Sequence, residues 1–187
     1  MKKASNVKKV VMVGTFSAIA FVLQMIGSMM GLKVGGFLEI EISDLPALIV
    51  TFAYGPVAGI LVEFLKNLIH CLFSSTGFVG ELANFVINGT FVGVAGVIYK
   101  FHKNFKGAVC SLVAATVAMA VAGIFANLYI MLPLYMPNAP IALKMNLVLA
   151  TILPFNLAKG VAISVITMLI YKRISPILKF SGGIKRK

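Results

Sequence analysis

Charged side chains within apolar sequence are the first candidates for chemistry in this chain. The long apolar runs contain three of them, Glu63, Lys66 and Lys159. Inside a membrane, each such charge needs a partner or a water-filled cavity. Glu63 and Lys66 are three residues apart, so on a helix they can neutralise each other, which favours a structural role. Lys159 has no acid within helical reach, so we expect it in a polar pocket; the alternative is that it bonds only to protein carbonyls.

Amide side chains are predicted at a depth similar to that of Lys159. The four candidates are Asn84, Asn88, Asn127 and Asn156. An amide both donates and accepts hydrogen bonds, which suits a ligand with carbonyls, ring nitrogens or hydroxyls and no strong charge. Pro154 lies just outward of Lys159 and frees backbone carbonyls at the same depth. Each asparagine by itself is more often a link between helices, but together they could line one cavity.

Familiar catalytic motifs are absent from the sequence. It contains no Walker sequence, no cluster of metal-ligating residues and no Gly-x-Ser-x-Gly. His70 and His102 are isolated, and Cys71 and Cys110 are expected near opposite membrane faces, too far apart to form a disulfide. The chain is therefore predicted not to be an enzyme, and any ATP-driven step must come from partner chains.

The composition requires lipid as the solvent for most of the chain. Hydrophobic residues make up 60% of the sequence and charged residues 12%, with a mean hydropathy of +1.01. This leaves too little polar surface to face water. The net charge of +12 does not indicate nucleic acid, because most basic residues flank apolar runs instead of following one solvated face. Three clusters hold them: Lys2, Lys3, Lys8 and Lys9; Lys100, Lys103 and Lys106; and Lys172, Arg173, Lys179, Lys185, Arg186 and Lys187.

The position of these clusters predicts the topology. If 45–74 were one helix, the cluster at 100–106 would lie opposite the N-terminal lysines, against the positive-inside rule. Gly55-Pro56 supplies a break that divides this run in two. We therefore predict one all-α membrane domain, 1–187, with six transmembrane helices and both termini in the cytoplasm. The helices are expected at about 10–30, 45–54, 56–74, 79–99, 107–132 and 147–171. The second is too short to cross alone and must be shielded by its neighbours.

Most of the acids fall on the predicted extracellular side. That side comprises the loop 32–44, the turn 76–80 and the segment 133–146. Glu39 and Glu41 are expected to be solvated loop charges. Asp44 follows Ser43 and precedes a helix, so we expect it to be an N-cap. Glu81 opens the fourth helix, where an acid complements the helix dipole.

Small residues four apart suggest close helix contacts. The pairs are Gly14 and Ala18, Gly55 and Gly59, and Gly89 and Gly93. We expect the last two pairs to pack within the protein. The chain shows no internal repeat, which argues against a carrier that completes alternating access without partners.

The sequence resembles the riboflavin-specific S components of prokaryotic energy-coupling factor (ECF) transporters. The most specific match is Pro154-Phe-Asn-Leu-Ala-Lys-Gly160, which includes the amide and lysine identified above. Other matching stretches, in order, are 37–49, 52–59, 65–67, 83–85 and 127–135. The resemblance implies six substrate-binding residues: Asn127, Asn156, Lys159, Asp44, Leu45 and Asn84. Of these, Asn127, Asn156 and Lys159 would hydrogen-bond riboflavin, and the segment around Asp44 and Leu45 would cover it.

The resemblance also implies partners and a location. The chain would sit in the plasma membrane of a prokaryote, with a membrane-embedded coupling subunit and two cytoplasmic ATPases. Gly14 and Ala18 resemble the family's docking surface for the coupling subunit, although Gly14 stands where alanine is usual. Riboflavin would be the transported ligand, with no cofactor.

Two alternatives remain open at this stage. An S component for another vitamin, such as thiamine or biotin, would share the six helices. A membrane enzyme acting on lipid or isoprenoid phosphates would need clustered acids for Mg²⁺ or a basic headgroup site. The only candidate cluster for it is Glu39, Glu41 and Asp44, which has no matching bases.

Overall fold

The structure is a computed structural model that describes the backbone of residues 2–31, 33–34, 38–39, 41–74 and 78–181. Parts of the predicted loop 32–44 and turn 76–80, and the C-terminal basic residues 185–187, lie outside these described residues. Side chains are described in 6–31, 38–39, 41–74, 78–171 and at 173.

The described chain is almost entirely helical. The α-helices are α1 Lys2–Met30, α2 Asp44–Tyr54, α3 Pro56–His70, α4 Val79–Phe101, α5 Phe105–Ala126, α6 Leu132–Tyr135, α7 Ile141–Leu147 and α8 Leu153–Ser181. Two π-helical segments, Asn127–Met131 and Val148–Ile152, join α5 to α6 and α7 to α8. A two-residue antiparallel pair, β1 Lys33–Val34 and β2 Leu38–Glu39, lies between α1 and α2. With each joined pair counted as one, the described part forms six helices, which confirms the predicted all-α membrane fold.

Four of these helices are long and apolar enough to cross a membrane within the described residues. They cover Asn6–Met30, Val79–Phe101, Phe105–Tyr135 and Ile141–Tyr171. The hydrocarbon core of a bilayer requires about 20 residues of helix. α2 and α3 fall outside this set and pack against spanning helices.

The second helix is short and enclosed, as predicted. It ends at Tyr54, and Pro56 begins α3 after Gly55, whose φ of +95° lies in a region that glycine tolerates. The 11 residues of α2 span about 16 Å, roughly half of a bilayer core. Neighbouring helices α1, α3, α4 and α8 surround it, so its ends are not left in lipid.

Two glycines allow α2 to approach α3 and α4 closely. A Cβ atom on Gly59 would lie 1.6 Å from the Thr51 hydroxyl oxygen, and one on Gly96 would lie 2.6 Å from the Thr51 methyl carbon. Gly93 similarly faces Ile60 at 3.2 Å, so the internal packing predicted for Gly59 and Gly93 is confirmed. The prediction is wrong for Gly55, whose Cβ would meet nothing within 4 Å, and the three atoms nearest to a Cβ on Gly89 belong to Phe85 of its own helix.

The two π-helical segments precede prolines. Pro133 and Pro154 each follow the end of a π segment by two residues. A proline lacks the N–H that would bond to the residue four positions earlier, and its ring clashes with that carbonyl. A π-bulge relieves this conflict and is frequent at functional sites. Asn127 begins the first segment, and Asn156 lies one turn past the second.

Aromatic side chains pack together at the end of the bundle where α2 and α4 finish and α5 begins. The Tyr99 and Tyr171 hydroxyl groups are 2.7 Å apart and form a buried hydrogen bond. Phe52 packs on Tyr99 with ring centroids 4.5 Å apart, and Phe105 adds an edge contact to Tyr171. The other end, where α1 and α3 finish, contains the polar residues.

Candidate functional site

A cavity of about 510 Å³ lies at the polar end of the bundle. Its walls come from α1, β2, α3, α4, α5 with its π segment, and α8. The polar lining includes Gln24, His70, Asn84, Asn127, Asn156 and Lys159. Leu38, Met131 and Phe155 supply apolar surface to the same space. This size and mixture are typical of a site for a ligand of drug-like size.

The structure brings four of the six predicted binding residues to this cavity. Asn84, Asn127, Asn156 and Lys159 come from three different helices and all line it. Asp44 and Leu45 are not among its lining residues. The fold thus brings the three amides and the lysine together. Asp44 lies beside them and forms ion pairs with Lys66 and Lys159.

Lys159 is anchored by acids from outside its own helix. Its ammonium nitrogen lies 3.2 Å from Glu41 Oε1 and 3.0 Å from Asp44 Oδ2. The alternative that it bonds only to carbonyls is therefore wrong. An ammonium group has three N–H donors; one donates to Glu41 Oε1 and Asp44 Oδ2 lies within ion-pair distance, so a donor is left for another acceptor.

Asp44 links the two buried lysines. Its Oδ1 is 2.5 Å from the Lys66 ammonium nitrogen, while its Oδ2 contacts Lys159. Lys66 also lies 2.8 Å from Glu63, which confirms the predicted neutralising pair, and it donates to the Ser43 hydroxyl at 2.7 Å. The predicted N-cap role of Asp44 is wrong. Asp44 is the first residue of α2, and the cap residue Ser43 makes no side-chain capping bond.

Glu41 is buried, so its prediction as a solvated loop charge is wrong. Only 5% of the residue is exposed, and it accepts a hydrogen bond from Asn84 at 3.0 Å. Burial by itself raises the pKa of Glu41. The charges of Lys159 and Lys66, with hydrogen bonds from Asn84 and Ser43, outweigh it and lower the pKa from 4.5 to about 2. The first loop is therefore bound to α4 and α8 through an ionised carboxylate.

His70 is not isolated, contrary to the prediction. Its Nδ1 lies 3.0 Å from Glu81 Oε1, and its Nε2 is 3.4 Å from the Ser28 hydroxyl. Ser28 also donates to Glu39 Oε2 at 2.5 Å, so Glu39 is partly buried and hydrogen-bonded. His70 ends α3 and Glu81 lies in the first turn of α4. The short connection between these helices was the sequence signal for this pair.

Gly123 allows Asn156 of α8 to approach α5 closely, and sequence reasoning missed it. A Cβ atom on Gly123 would lie 2.6 Å from Asn156 Nδ2. Asn127 donates to the Gly123 carbonyl at 2.8 Å, and Asn156 donates to the Ile152 carbonyl at 2.9 Å. Both amides are thereby held against their own helices at the wall between α5 and α8.

The predicted docking residues lie apart from this cavity on the outer face of α1. Gly14 and Ala18 are both exposed, and a Cβ atom on Gly14 would meet nothing within 4 Å. No described part of the protein covers them.

The described residues thus form a helical membrane bundle with a polar cavity at one end, an arrangement suited to binding a small ligand. The chain belongs to the substrate-specific components of ECF transporters, whose family model matches residues 8–171. It is therefore a component of a prokaryotic membrane transporter and not an enzyme, and it works with an ECF module.

Individual relatives cover nearly the whole chain. The riboflavin transporter RibU of Staphylococcus aureus (strain TCH60) is 37% identical, over 92% of this chain and 93% of the relative. The riboflavin transporter FmnP of Bacillus subtilis (strain 168) is 36% identical, over 91% of this chain and 94% of the relative. A solved S component of a bacterial ECF transporter aligns with a TM-score of 0.80 and 36% identity, covering 93% of this chain and 99% of the solved chain.

Proposed function

We propose that this protein captures riboflavin and mediates its uptake across the plasma membrane as the substrate-binding subunit of an ATP-driven ECF transporter. The observation that carries the proposal is the convergence of Asn127, Asn156 and Lys159 on one cavity of about 510 Å³. Membership of the S-component family and the riboflavin transporters among its relatives support the same ligand.

The chemistry of the cavity suits the flavin ring. The isoalloxazine system carries carbonyl oxygens and ring nitrogens, which match the amides of Asn127 and Asn156 and the remaining N–H of Lys159. Phe155 and Met131 provide apolar surface for the ring faces. The ring is uncharged, so it needs no free cation.

Asn84, Asp44 and Leu45 complete the proposed site in supporting roles. Asn84 lines the cavity and also bonds Glu41. Asp44 positions the Lys159 ammonium and does not itself touch the ligand. Leu45 lies directly after the first loop. In this proposal, the segment around Asp44 and Leu45 covers the site.

We also propose that both termini of the single 1–187 domain are cytoplasmic and that the cavity opens to the extracellular side. Lys8 and Lys9 precede the apolar part of α1, Lys100 is in the last turn of α4, and Arg173 is near the end of α8. All four lie at the end opposite the cavity. This arrangement follows the positive-inside rule.

The proposed partners are a transmembrane coupling subunit and two cytoplasmic ATPase subunits. The sequence contains no nucleotide-binding motif, so hydrolysis must occur in other chains. Gly14 and Ala18 present small, uncovered side chains on α1, which would permit close approach of a helix from the coupling subunit. No cofactor is required for this activity.

Ligand titration of the detergent-purified protein tests the proposal. We expect stoichiometric quenching of riboflavin fluorescence by the wild type. Lys159→Met should weaken binding by roughly tenfold to a hundredfold, because it removes a charge-assisted hydrogen bond. Lys144→Met is the matched control, since Lys144 lies on α7 outside the cavity. Binding of thiamine or biotin in place of riboflavin by folded wild type would refute the flavin assignment.

A further inference from the structure

A second cavity lies on the outside of the bundle, along the seam between α3 and α4. It is an open groove of about 700 Å³, lined by Ile60 and its neighbours on α3 and by one face of α4. Its rim includes the exposed side chains of Val57, Val86 and Val97. It shares no lining residue with the polar cavity. The name "lateral groove" is used below for this space.

The lateral groove is apolar. Thr90 is the one lining residue with a polar side chain, and its hydroxyl donates to the Val86 carbonyl of its own helix at 2.7 Å. A bound water needs two to four polar partners, which these side chains do not supply. The occupant of the groove must therefore be apolar and be held by van der Waals contact.

The lateral groove lies at the depth of the hydrocarbon core. Its lining on α4 runs from Phe85 to Ile98, inside the membrane-spanning helix Val79–Phe101. This stretch of helix is about 20 Å long. One leaflet contributes about 15 Å of hydrocarbon. A single extended acyl chain therefore has the length to lie along the groove.

The two ends of the lateral groove differ in chemistry. At one end, Phe64 and Phe85 make an edge contact with ring centroids 5.6 Å apart. At the other end α3 and α4 touch, because a Cβ atom on Gly96 would lie 2.7 Å from Pro56 Cα. Lys100 follows Gly96 by about one helical turn and continues the face of α4 that carries Val97. The groove thus leads from an aromatic pair to a lysine.

The basic cluster at this end has no acidic partner. Lys100, Lys103 and Lys106 are all exposed, and the ion pairs among the described residues involve other cations, at Lys66, His70 and Lys159. Lys106 also lies in the first turn of α5, where the helix dipole favours a nearby anion over a cation. Clusters of lysine next to a membrane-spanning helix attract anionic lipid headgroups.

We propose that the lateral groove binds one anionic phospholipid. One acyl chain lies along the apolar lining, and the phosphodiester contacts Lys100, with Lys103 and Lys106 adding favourable charge. In the proposed topology this lipid belongs to the cytoplasmic leaflet. The site is independent of the transported ligand, because it lies outside the polar cavity.

The first test measures the charge at the headgroup. The detergent-purified full chain is titrated with phosphatidylglycerol or with phosphatidylcholine of the same acyl chains, and the first bound lipid is followed by native mass spectrometry. We expect phosphatidylglycerol to bind at least about fivefold more tightly. Lys100→Gln should weaken phosphatidylglycerol about fivefold and leave phosphatidylcholine unchanged. Lys8→Gln is the matched control, since Lys8 is an exposed lysine outside the groove, at the same end of the bundle.

The second test fills the groove. Thr90→Phe places a ring in its middle and should weaken both lipids by about tenfold, because it displaces the acyl chain. Val113→Phe is the matched control, since Val113 is 62% exposed on α5 and lies outside the groove. Melting curves in detergent show whether each variant is folded. Val86→Phe fills the same groove from an exposed position and replaces Thr90→Phe if that variant does not fold.

Four outcomes would overturn the proposal. Equal losses in Lys100→Gln and Lys8→Gln would reduce the attraction to the overall charge of that membrane face. Lipid affinities in the groove-filling variants that match those of Val113→Phe would exclude the groove. Binding of glycerol 3-phosphate as tight as that of phosphatidylglycerol would indicate an anion site without an acyl chain. A wild-type dimer that dissociates in Thr90→Phe would assign the groove to a second copy of the chain.

Discussion

Replacement of Lys159 by methionine should destabilise the protein in the absence of ligand as well as weaken binding. The lysine belongs to a buried cluster with Lys66 and three acids, Glu41, Asp44 and Glu63. The acids of this cluster outnumber its lysines by one. Lys159→Met raises this surplus to two and leaves a carboxylate oxygen of Asp44 without its ion-pair partner.

The magnitude follows from two lines of evidence. Removal of one partner from a buried ion pair typically costs 3–5 kcal/mol, roughly a 10 °C fall in melting temperature for a domain of this size. The pKa of Glu41 falls from 4.5 to about 2, so Lys159, Lys66, Asn84 and Ser43 together favour its ionised form by ~3 kcal/mol, of which Lys159 supplies a part. We therefore expect Lys159→Met to lower the free energy of unfolding by ~3–5 kcal/mol.

A double-mutant cycle with Glu41→Gln isolates the pair. The double variant loses one positive and one negative charge and returns the cluster to the wild-type surplus. We expect it to be about 2 kcal/mol more stable than additive single effects would make it. Unfolding in detergent without ligand, followed by circular dichroism, measures the stability of all four proteins. Lys144→Met, which lies outside the buried cluster, is the control and is expected within about 0.5 kcal/mol of wild type.

An additive cycle, or a Lys159→Met variant as stable as the wild type, would refute this reasoning. It would mean that the contacts of Lys159 with Glu41 and Asp44 do not hold the first loop in solution. The effect of Lys159 on ligand binding would then have to arise from direct contact alone.

Three further predictions concern pH, packing and docking. Because the pKa of Glu41 is lower in the folded protein, ionised Glu41 should contribute ~3 kcal/mol to the free energy of unfolding. This contribution should be complete above about pH 4.5 and lost as the pH falls toward 2. Glu41→Gln should flatten that part of a plot of the free energy of unfolding against pH. Gly59→Ala should lower the free energy of unfolding by about 1–3 kcal/mol, because the added Cβ would overlap the Thr51 hydroxyl. An unchanged melting temperature would contradict this packing. Gly14→Leu should leave stability and riboflavin affinity unchanged but reduce co-purification with the coupling subunit at least tenfold; normal co-purification would remove α1 from the proposed interface.

The architecture was readable from the sequence because its signals are local. The length of apolar runs reports spanning helices, and the Gly55-Pro56 pair reports a helix break. Lys159 could be singled out because a charge in an apolar helix requires an explanation. Its proximity to Asn156 on the same helix follows from their spacing of three residues.

The partners of these residues could not be predicted in the same way. Glu41 was assigned to solvent because loop acids usually are solvated, but it is folded back against Lys159 and Asn84. Helical spacing relates residues of one helix and does not report contacts between loops and helices. The pair of His70 and Glu81 was missed because helical spacing does not report contacts between two helices either, although the short connection between α3 and α4 placed their ends close together.

The sequence by itself determined that the chain lies in a membrane, that it forms six helices and that Lys159 needs a polar environment, because each follows from the cost of placing charge or backbone in lipid. Only the tertiary structure decided which acids meet Lys159 and which amides line the cavity. Those outcomes depend on how separate helices and a loop pack together, since burial and hydrogen bonding are properties of the assembled bundle and not of any single segment.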